Sequence, residues 1–338
     1  MCRPLTGCGA LQMSKIAVLT TGGTIAMAED EHTGSVRPAG AESLRPVLPT
    51  IARYAEVEME HVANLPSPHM TPSVMYRISL RVAELLDRED VDGVVITHGT
   101  DTLEETAYYL DLVIASEKPV VITGAMRSQN ELGADGPLNL VNAVRTAASP
   151  QARGKGTMVV FNDEIHAARW VIKTHTSNVA TFRSPTHGPI GTLTKKEALF
   201  QQSFPRQHHF PHREPKDRID LVKAAAGTDD LFIRASLEAG CGGLVIESLG
   251  QGNLPPSMLP GLKKALEQNI PIVLVSRCYN GFVEDTYGYE GGGKQLKDWG
   301  VIFSNGLNGQ KARIQLMAAL HISRDPVTLQ QYFHEFRI

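Results

Sequence analysis

From residue 15 to about residue 190, short apolar, β-branched runs alternate with segments whose apolar positions recur every three or four residues. The runs are Lys15–Thr20, Val91–Thr97, Pro119–Thr123 and Gly156–Phe161, and the helical patterns are Ser73–Leu86, Leu103–Ala115 and Pro137–Ala148. Strands that alternate with helices in this way predict βαβ units, hence a mainly parallel sheet with helices on both faces. Helix starts are signalled too. Thr71-Pro72 offers a cap followed by proline in the first turn, and Thr102-x-x-Glu105 fits a capping box.

The rhythm breaks over 192–220, where QQSFPRQHHFPHREPKDR is polar, proline-punctuated and without period. This reads as a solvated domain linker. Its histidines, His208, His209 and His212, have no carboxylate or cysteine set at ligand spacing, so a metal site is the weaker reading. Beyond it the α/β rhythm resumes with strand-like runs at Gly243–Glu247, Pro271–Ser276 and Val301–Ser304 and helices near Met258–Gln268 and Gln310–Leu320. The expected class is α/β with two α/β domains: a larger N-terminal one over 15–191 and a smaller C-terminal one over 221–338. The 338 residues are ample for two cores.

Composition narrows the function classes. Lys and Arg total 33 and Asp and Glu 36, giving a net charge of −3, so no basic field exists to attract nucleic acid or anionic lipid. No apolar run approaches the ~20 residues of a membrane helix. Cys2, Cys8, Cys241 and Cys278 lack both disulfide density and a CxxC spacing, which suits reduced thiols in a cytoplasmic protein. Residues 1–14 read as a leader: the first dozen carry no apolar h-region, and Met13 directly precedes the first strand, as a true start would.

In open α/β sheets ligands bind beyond the carboxyl ends of the strands. The first run is followed by Thr20-Thr21-Gly22-Gly23-Thr24, the second by His98-Gly99-Thr100-Asp101, and the third by Gly124-Ala125-Met126-Arg127. Small, hydroxyl-bearing and acidic residues therefore gather at one sheet edge. Neither a G-x-G-x-x-G nor a P-loop is present, which argues against a dinucleotide or nucleotide enzyme. Gly22-Gly23 would permit a sharp turn presenting the Thr24 hydroxyl, as a nucleophile needs, although on that segment alone an ordinary strand-to-loop turn is the stronger reading. At the second loop, a helix start favours negative charge, and Asp101 suits a substrate ammonium or a mere cap.

TTGGTIA at 20–26 and GVVITHGTDTLEETA at 93–107 resemble the two signature segments of the bacterial-type L-asparaginase/glutaminase family. The resemblance continues through KPVVITGAMR (118–127), ADGPLNL (134–140), FNDEIHAARWVIKTHT (161–176), VATFRSP (179–185), GQGN (250–253) and SNGLNGQKAR (304–313). It implies hydrolysis of L-asparagine to L-aspartate and ammonia, with L-glutamine as a side substrate. By similarity Thr24 is the nucleophile, while Thr100, Asp101 and Lys173 form the second triad. The Thr100 N–H would be an oxyanion donor. Ser67 would hold the α-carboxylate and Asp101 the α-ammonium, with Gly99 and Ala125 also in the substrate site. Asn253, reaching a neighbouring subunit's site, implies a homodimer or homotetramer with shared sites. This chemistry uses hydroxyls, an amine and backbone donors, so it calls for no cofactor and no metal.

One departure stands out. Many relatives carry a tyrosine on the mobile loop after the nucleophile, whereas residues 27–40, MAEDEHTGSVRPAG, contain none, leaving Gly34 and Gly40 as hinges. Tyr287 and Tyr289 in EDTYGYEGGG (284–293) are the expected replacements from a second subunit, a surface turn of packed aromatics being the competing reading; Glu290 is an expected ammonium partner. Pro68 replaces a polar side chain that several relatives have, which bears on selectivity. The competing functions are the ammonia-releasing subunit of a tRNA-dependent amidotransferase, which usually carries an extra N-terminal domain, and a catalytically weak amino-acid-binding homologue, suggested by the missing loop tyrosine.

Overall fold

A computed structural model describes residues 13–29, 36–38, 46–204, 208–304 and 306–334. Its N-terminal part contains β1 (Lys15–Thr20), β2 (Met27–Glu29), β3 (Val36–Pro38), α1 (Leu48–Ile51), β4 (Glu56–His61), α2 (Pro72–Asp87), β5 (Gly93–Thr97), α3 (Leu103–Val113), β6 (Val120–Thr123), α4 (Gly136–Ala147) and β7 (Thr157–Phe161). Short strands follow: β8 (Glu164–Ala167), β9 (Ile172–Lys173), β10 (Phe182–Arg183), β11 (Gly191–Leu193) and β12 (Ala198–Phe200). The C-terminal part runs β13 (Ile219–Lys223), α5 (Leu231–Glu238), β14 (Gly243–Ser248), α6 (Leu259–Glu267), β15 (Ile272–Ser276), α7 (Gly293–Asp298), β16 (Ile302–Phe303), α8 (Gly309–Ala319) and α9 (Pro326–His334).

The large sheet has the order β12-β11-β8-β7-β6-β5-β1-β4, parallel from β4 to β7 and antiparallel beyond. Alternation along its strands divides two cores. Ala17, Leu19, Val94, Ile96, Val120 and Ile122 face α2 and α3, whereas Ile16, Val18, Val95 and Val121 face α1 and α4. Helices thus cover both faces, as the sequence predicts. The smaller sheet, β13-β14-β15-β16, is parallel throughout, with α8 and α9 on one face and α5 and α6 on the other. Helix α8 also packs on α3, so one apolar core runs from the large sheet into the small one.

Several expectations need correction. The expected linker over 192–220 overlaps strands at both ends: β11 and β12 complete the large sheet and β13 opens the small one. Strands of three residues are too short to show a period. The remaining stretch is not merely solvated. The Phe210 N–H donates to the Leu112 carbonyl (2.8 Å), and His212 stands edge-on to Tyr76 with its Nε2 2.7 Å from the Ser79 hydroxyl. Strand β4, EVEMEH, escapes sequence reading because its glutamates mimic a solvated segment; at the sheet edge Glu58 pairs with Arg88 and Glu60 with Arg81. The expected leader over 1–14 falls outside the described residues up to Gln12.

The α3–α8 contact carries a buried polar tie. The Tyr108 hydroxyl, fully buried, donates to the Gln315 side-chain oxygen and accepts from Arg169. Tyr108→Phe leaves both partners short of a bond inside the core, so it should lower unfolding free energy by about 1–3 kcal/mol in urea titrations. No change in the midpoint would contradict that tie.

Candidate active site

Parallel pairing of β1 with β5 sets Thr20 opposite Thr97, so the two strands end side by side and their following loops must meet. The Thr21 side chain seals the junction by donating to the Thr97 carbonyl (2.8 Å). The chain then turns through Gly22 (φ +100°) and Gly23 (φ +83°), a left-handed region that side chains oppose. Space forbids a side chain as well: a Cβ on Gly23 would lie 2.4 Å from the Gly99 nitrogen. That contact joins the two loops main chain to main chain, one residue before Thr24 on one and one before Thr100 on the other. Thr24 opens a short 3₁₀ turn, Thr24–Ala26, held by the Gln129 side-chain amide on the Ile25 carbonyl (2.9 Å) and backed by Ala125 and Gly136.

Ser67 comes from the loop after β4. It packs on Gly99, where a Cβ would be 2.8 Å from the Ser67 Cβ, and its hydroxyl accepts the Asp101 N–H at 3.2 Å. The expected capping box at Thr102 does not form: Thr102 makes no cap bond and its hydroxyl donates to the Ser67 carbonyl (2.8 Å) instead. A capping residue has been diverted to tie the two loops together. Thr71 does cap α2, accepting from the Val74 N–H at 3.3 Å.

Lys173 arrives from β9. Its Nζ donates to the Thr100 hydroxyl (2.9 Å) and to Asp101 (2.7 Å); the lysine side chain is 17 % exposed and that of Asp101 56 %. Asp101, Lys173, Thr174, His175 and Gln310 line a cleft of about 380 Å³. A buried hydroxyl, an amine and a carboxylate in that order make a proton-transfer chain with one end open to water.

The loop is rigid from beneath. His98 is fully buried; desolvation pushes its pKa down to about 4, so its ring is neutral. The ring's Nδ1 lies 2.8 Å from the Gly99 carbonyl and Nε2 lies 2.9 Å from the Thr106 hydroxyl, an arrangement satisfied by Nδ1–H donating and Nε2 accepting. Asp135 knots the third loop by accepting the Met126 and Arg127 N–H groups, and Asn139 donates to the Gly124 carbonyl (3.0 Å).

The structure therefore ties Ser67, Gly99, Thr100, Asp101 and Lys173 to one another, with Gly23, one residue before Thr24, packed on Gly99 and with Ala125 near Ile25 in the following turn. It keeps the other expected residues apart. The Asn253 side chain accepts the Gly293 N–H (3.3 Å), and Tyr287 and Tyr289 lean on each other at 5.5 Å in an exposed loop after β15. Among the described residues no hydrogen bond or ion pair joins these residues or Glu290 to the Thr24 site. Residues 27–40 include the ribbon β2–β3, with Met27 opposite Pro38; Gly34 and Gly40 lie outside the described residues. Among the described residues no group of three or more His, Cys, Asp or Glu could hold a metal ion. No helix there is long and apolar enough to cross a membrane. Sequence reading gave no role to His98, Asp135, Gln129, Asn139, Glu104 or Lys311, although it placed a helix near Gln310–Leu320. Only the polar residues inside apolar helix patterns, Glu104 and Asn139, left a trace that could have been followed.

Two outcomes follow. Gly23→Ala must displace Thr24 from Thr100, so turnover should fall about 100-fold while the protein stays folded, read by steady-state rate and circular dichroism. For His98, the unfolded chain binds a proton between pH 6.5 and pH 4 while the folded chain does not, so acid lowers stability through that window by up to about 3 kcal/mol. Urea midpoints at pH 7 and pH 4.5 should differ less in His98→Asn than in the parent chain; an unchanged pH slope would contradict the buried neutral ring.

Comparison with known proteins now bears on this geometry. The family model "Asparaginase, N-terminal" matches residues 15–206, and "Glutaminase/Asparaginase C-terminal domain" matches residues 218–333. The chain is 37 % identical over 334 residues to L-asparaginase 2 of Bacillus subtilis (strain 168), covering 96 % of this chain and 87 % of that protein. It is also 37 % identical over 338 residues to L-asparaginase 2 of Escherichia coli (strain K12), covering 97 % and 94 %. The crystal structure of a probable cytoplasmic L-asparaginase from Campylobacter jejuni superposes with a TM-score of 0.86 at 35 % identity, covering 95 % of this chain and 99 % of that one. With two signature loops meeting at Gly23 and Gly99 and both domain models matched, this chain belongs to the asparaginase family.

Proposed function

We propose that this chain is an L-asparagine amidohydrolase, releasing ammonia and L-aspartate through a threonine ester. The observation that carries the reading is the packing of Gly23, the residue before Thr24, on Gly99, the residue before a Thr100 whose hydroxyl is bonded to Lys173. In this reading the Thr24 oxygen bonds to the side-chain carbonyl carbon as its hydroxyl proton passes through Thr100 to the Lys173 amine, which later hands that proton to the leaving nitrogen. The Thr100 N–H faces the oxygen that becomes negative, a role worth about 2.7–4 kcal/mol in other hydrolases. The C–N bond then breaks, nitrogen takes a proton delivered along Lys173 and Thr100, and ammonia leaves. Water attacks the ester, returning the proton to Thr24 and releasing aspartate.

Anchoring uses the opposite end of the substrate. Ser67 binds the α-carboxylate and Asp101 the α-ammonium; their mutual bond sets the spacing between the two charges. Gly99 and Ala125 supply backbone contacts at the amide. One methylene separates asparagine from glutamine, a difference worth only ~1–3 kcal/mol, so glutamine is a side substrate, and the exposed Pro68 adds no hydrogen bond to reject it. Tyr289 or Tyr287 completes a second copy's Thr24 site, Asn253 reaches into that site and Glu290 helps hold the substrate ammonium, which requires at least a homodimer. The reaction is placed in the cytoplasm, in keeping with the exposed thiol of Cys278.

Ammonia release from purified protein with L-asparagine tests the reaction. Thr24→Ala should abolish it, and equal release from both would overturn the nucleophile. Tyr287→Phe combined with Tyr289→Phe should reduce turnover at least about 100-fold, the low end for a positioned proton-transfer group; an unchanged rate would remove these phenols from the site.

A further inference from the structure

Lys311 lies in the first turn of α8, yet its ammonium is spent on the other domain. Only 1 % exposed, it donates to the carbonyls of Ala168 (2.8 Å), Arg169 (3.1 Å) and Val171. Three carbonyl oxygens turned toward one point repel each other, and an ammonium with three N–H groups is the side chain that satisfies them together. These carbonyls occupy the turn between β8 and β9, immediately before Lys173. The same turn of α8 acts on the next residue. Glu104, 3 % exposed, accepts the Lys173 N–H at 2.5 Å and is itself held by the side-chain amides of Asn308 (2.9 Å) and Gln310 (2.5 Å). Asn308 caps α8 by accepting the Lys311 N–H (3.1 Å), so both clamps share one rigid turn.

From this geometry we infer that Lys311 and Glu104 are positioning residues that fix the Lys173 backbone from both sides, so that the C-terminal domain sets where the Lys173 amine stands. The inference rests on the proposed role of Lys173 in proton transfer. It explains why two buried charges are kept where apolar side chains would cost less desolvation. A four-carbon amine on a two-residue strand has many rotamers. Pinning the main chain at residues 168–173 leaves Thr100 and Asp101 as the partners within its reach.

Kinetics of Lys311→Met, Glu104→Gln and Lys173→Met on L-asparagine test the inference. Lys311→Met and Glu104→Gln should each lower kcat tenfold or more with KM within threefold, because Ser67 and Asp101 keep their own mutual bond. Either change added to Lys173→Met should lower the residual rate no further, since the clamp acts only through that amine. Glu104→Gln is nearly isosteric and carries the test if Lys311→Met fails to fold. A folded Glu104→Gln enzyme with unchanged kcat, or losses that multiply with Lys173→Met, would overturn the clamp. Full activity in Lys173→Met would instead overturn the role of Lys173 itself, so the two failures are distinguishable.

Discussion

Main chain meets main chain where Gly23 lies against Gly99, and every other feature of the site is arranged around that contact. Parallel pairing of β1 and β5 delivers two loops to one edge of the sheet, but ordinary residues would hold them a side chain apart. Gly22 and Gly23, with positive φ in the first loop, and Gly99, without a side chain in the second, remove that spacing. What results is a pair of threonines on adjacent loops, one half-buried at a turn and one buried beneath it. Neither loop relies on its own stiffness. Thr21 spends its hydroxyl on the last carbonyl of β5, and Thr102, Gln129 and His98 each spend a polar group on a carbonyl of the loops.

Charge is layered in the same region. Asp101 and Lys173 pair at the mouth of the cleft, where water screens them. Glu104 and Lys311 lie deeper and are bonded to amides and carbonyls, while the Glu104 carboxylate also favours the Lys311 ammonium through space. Burial pushes Lys311 down to about 8 and Glu105 up to about 6, with Glu104 helping to raise Glu105.

Legibility in the sequence followed burial. Strands β1, β5, β6 and β7 are apolar on both faces, so their runs stand out within one or two residues of their observed ends. The short antiparallel strands β8 to β12, and β4 with its charged edge, carry no such signal because pairing rather than period defines them. At the site, Thr24, Thr100 and Asp101 were readable as residues after strand ends, and Lys173 and Ser67 only through resemblance. The Thr102 hydroxyl was misassigned since local capping and long-range bonding use the same atom. Lys311 was invisible: a lysine in a helix pattern reads as solvated until the fold shows three carbonyls waiting for it.

The most direct measurement is a crystal structure of the protein with L-aspartate bound. The product's side-chain carboxylate should lie within hydrogen-bond reach of both the Thr24 and Thr100 hydroxyls, its α-carboxylate on Ser67 and its ammonium on Asp101. Aspartate lodged elsewhere, or the two threonine hydroxyls facing different sides of it without a common contact, would contradict the convergence on which the hydrolytic account stands.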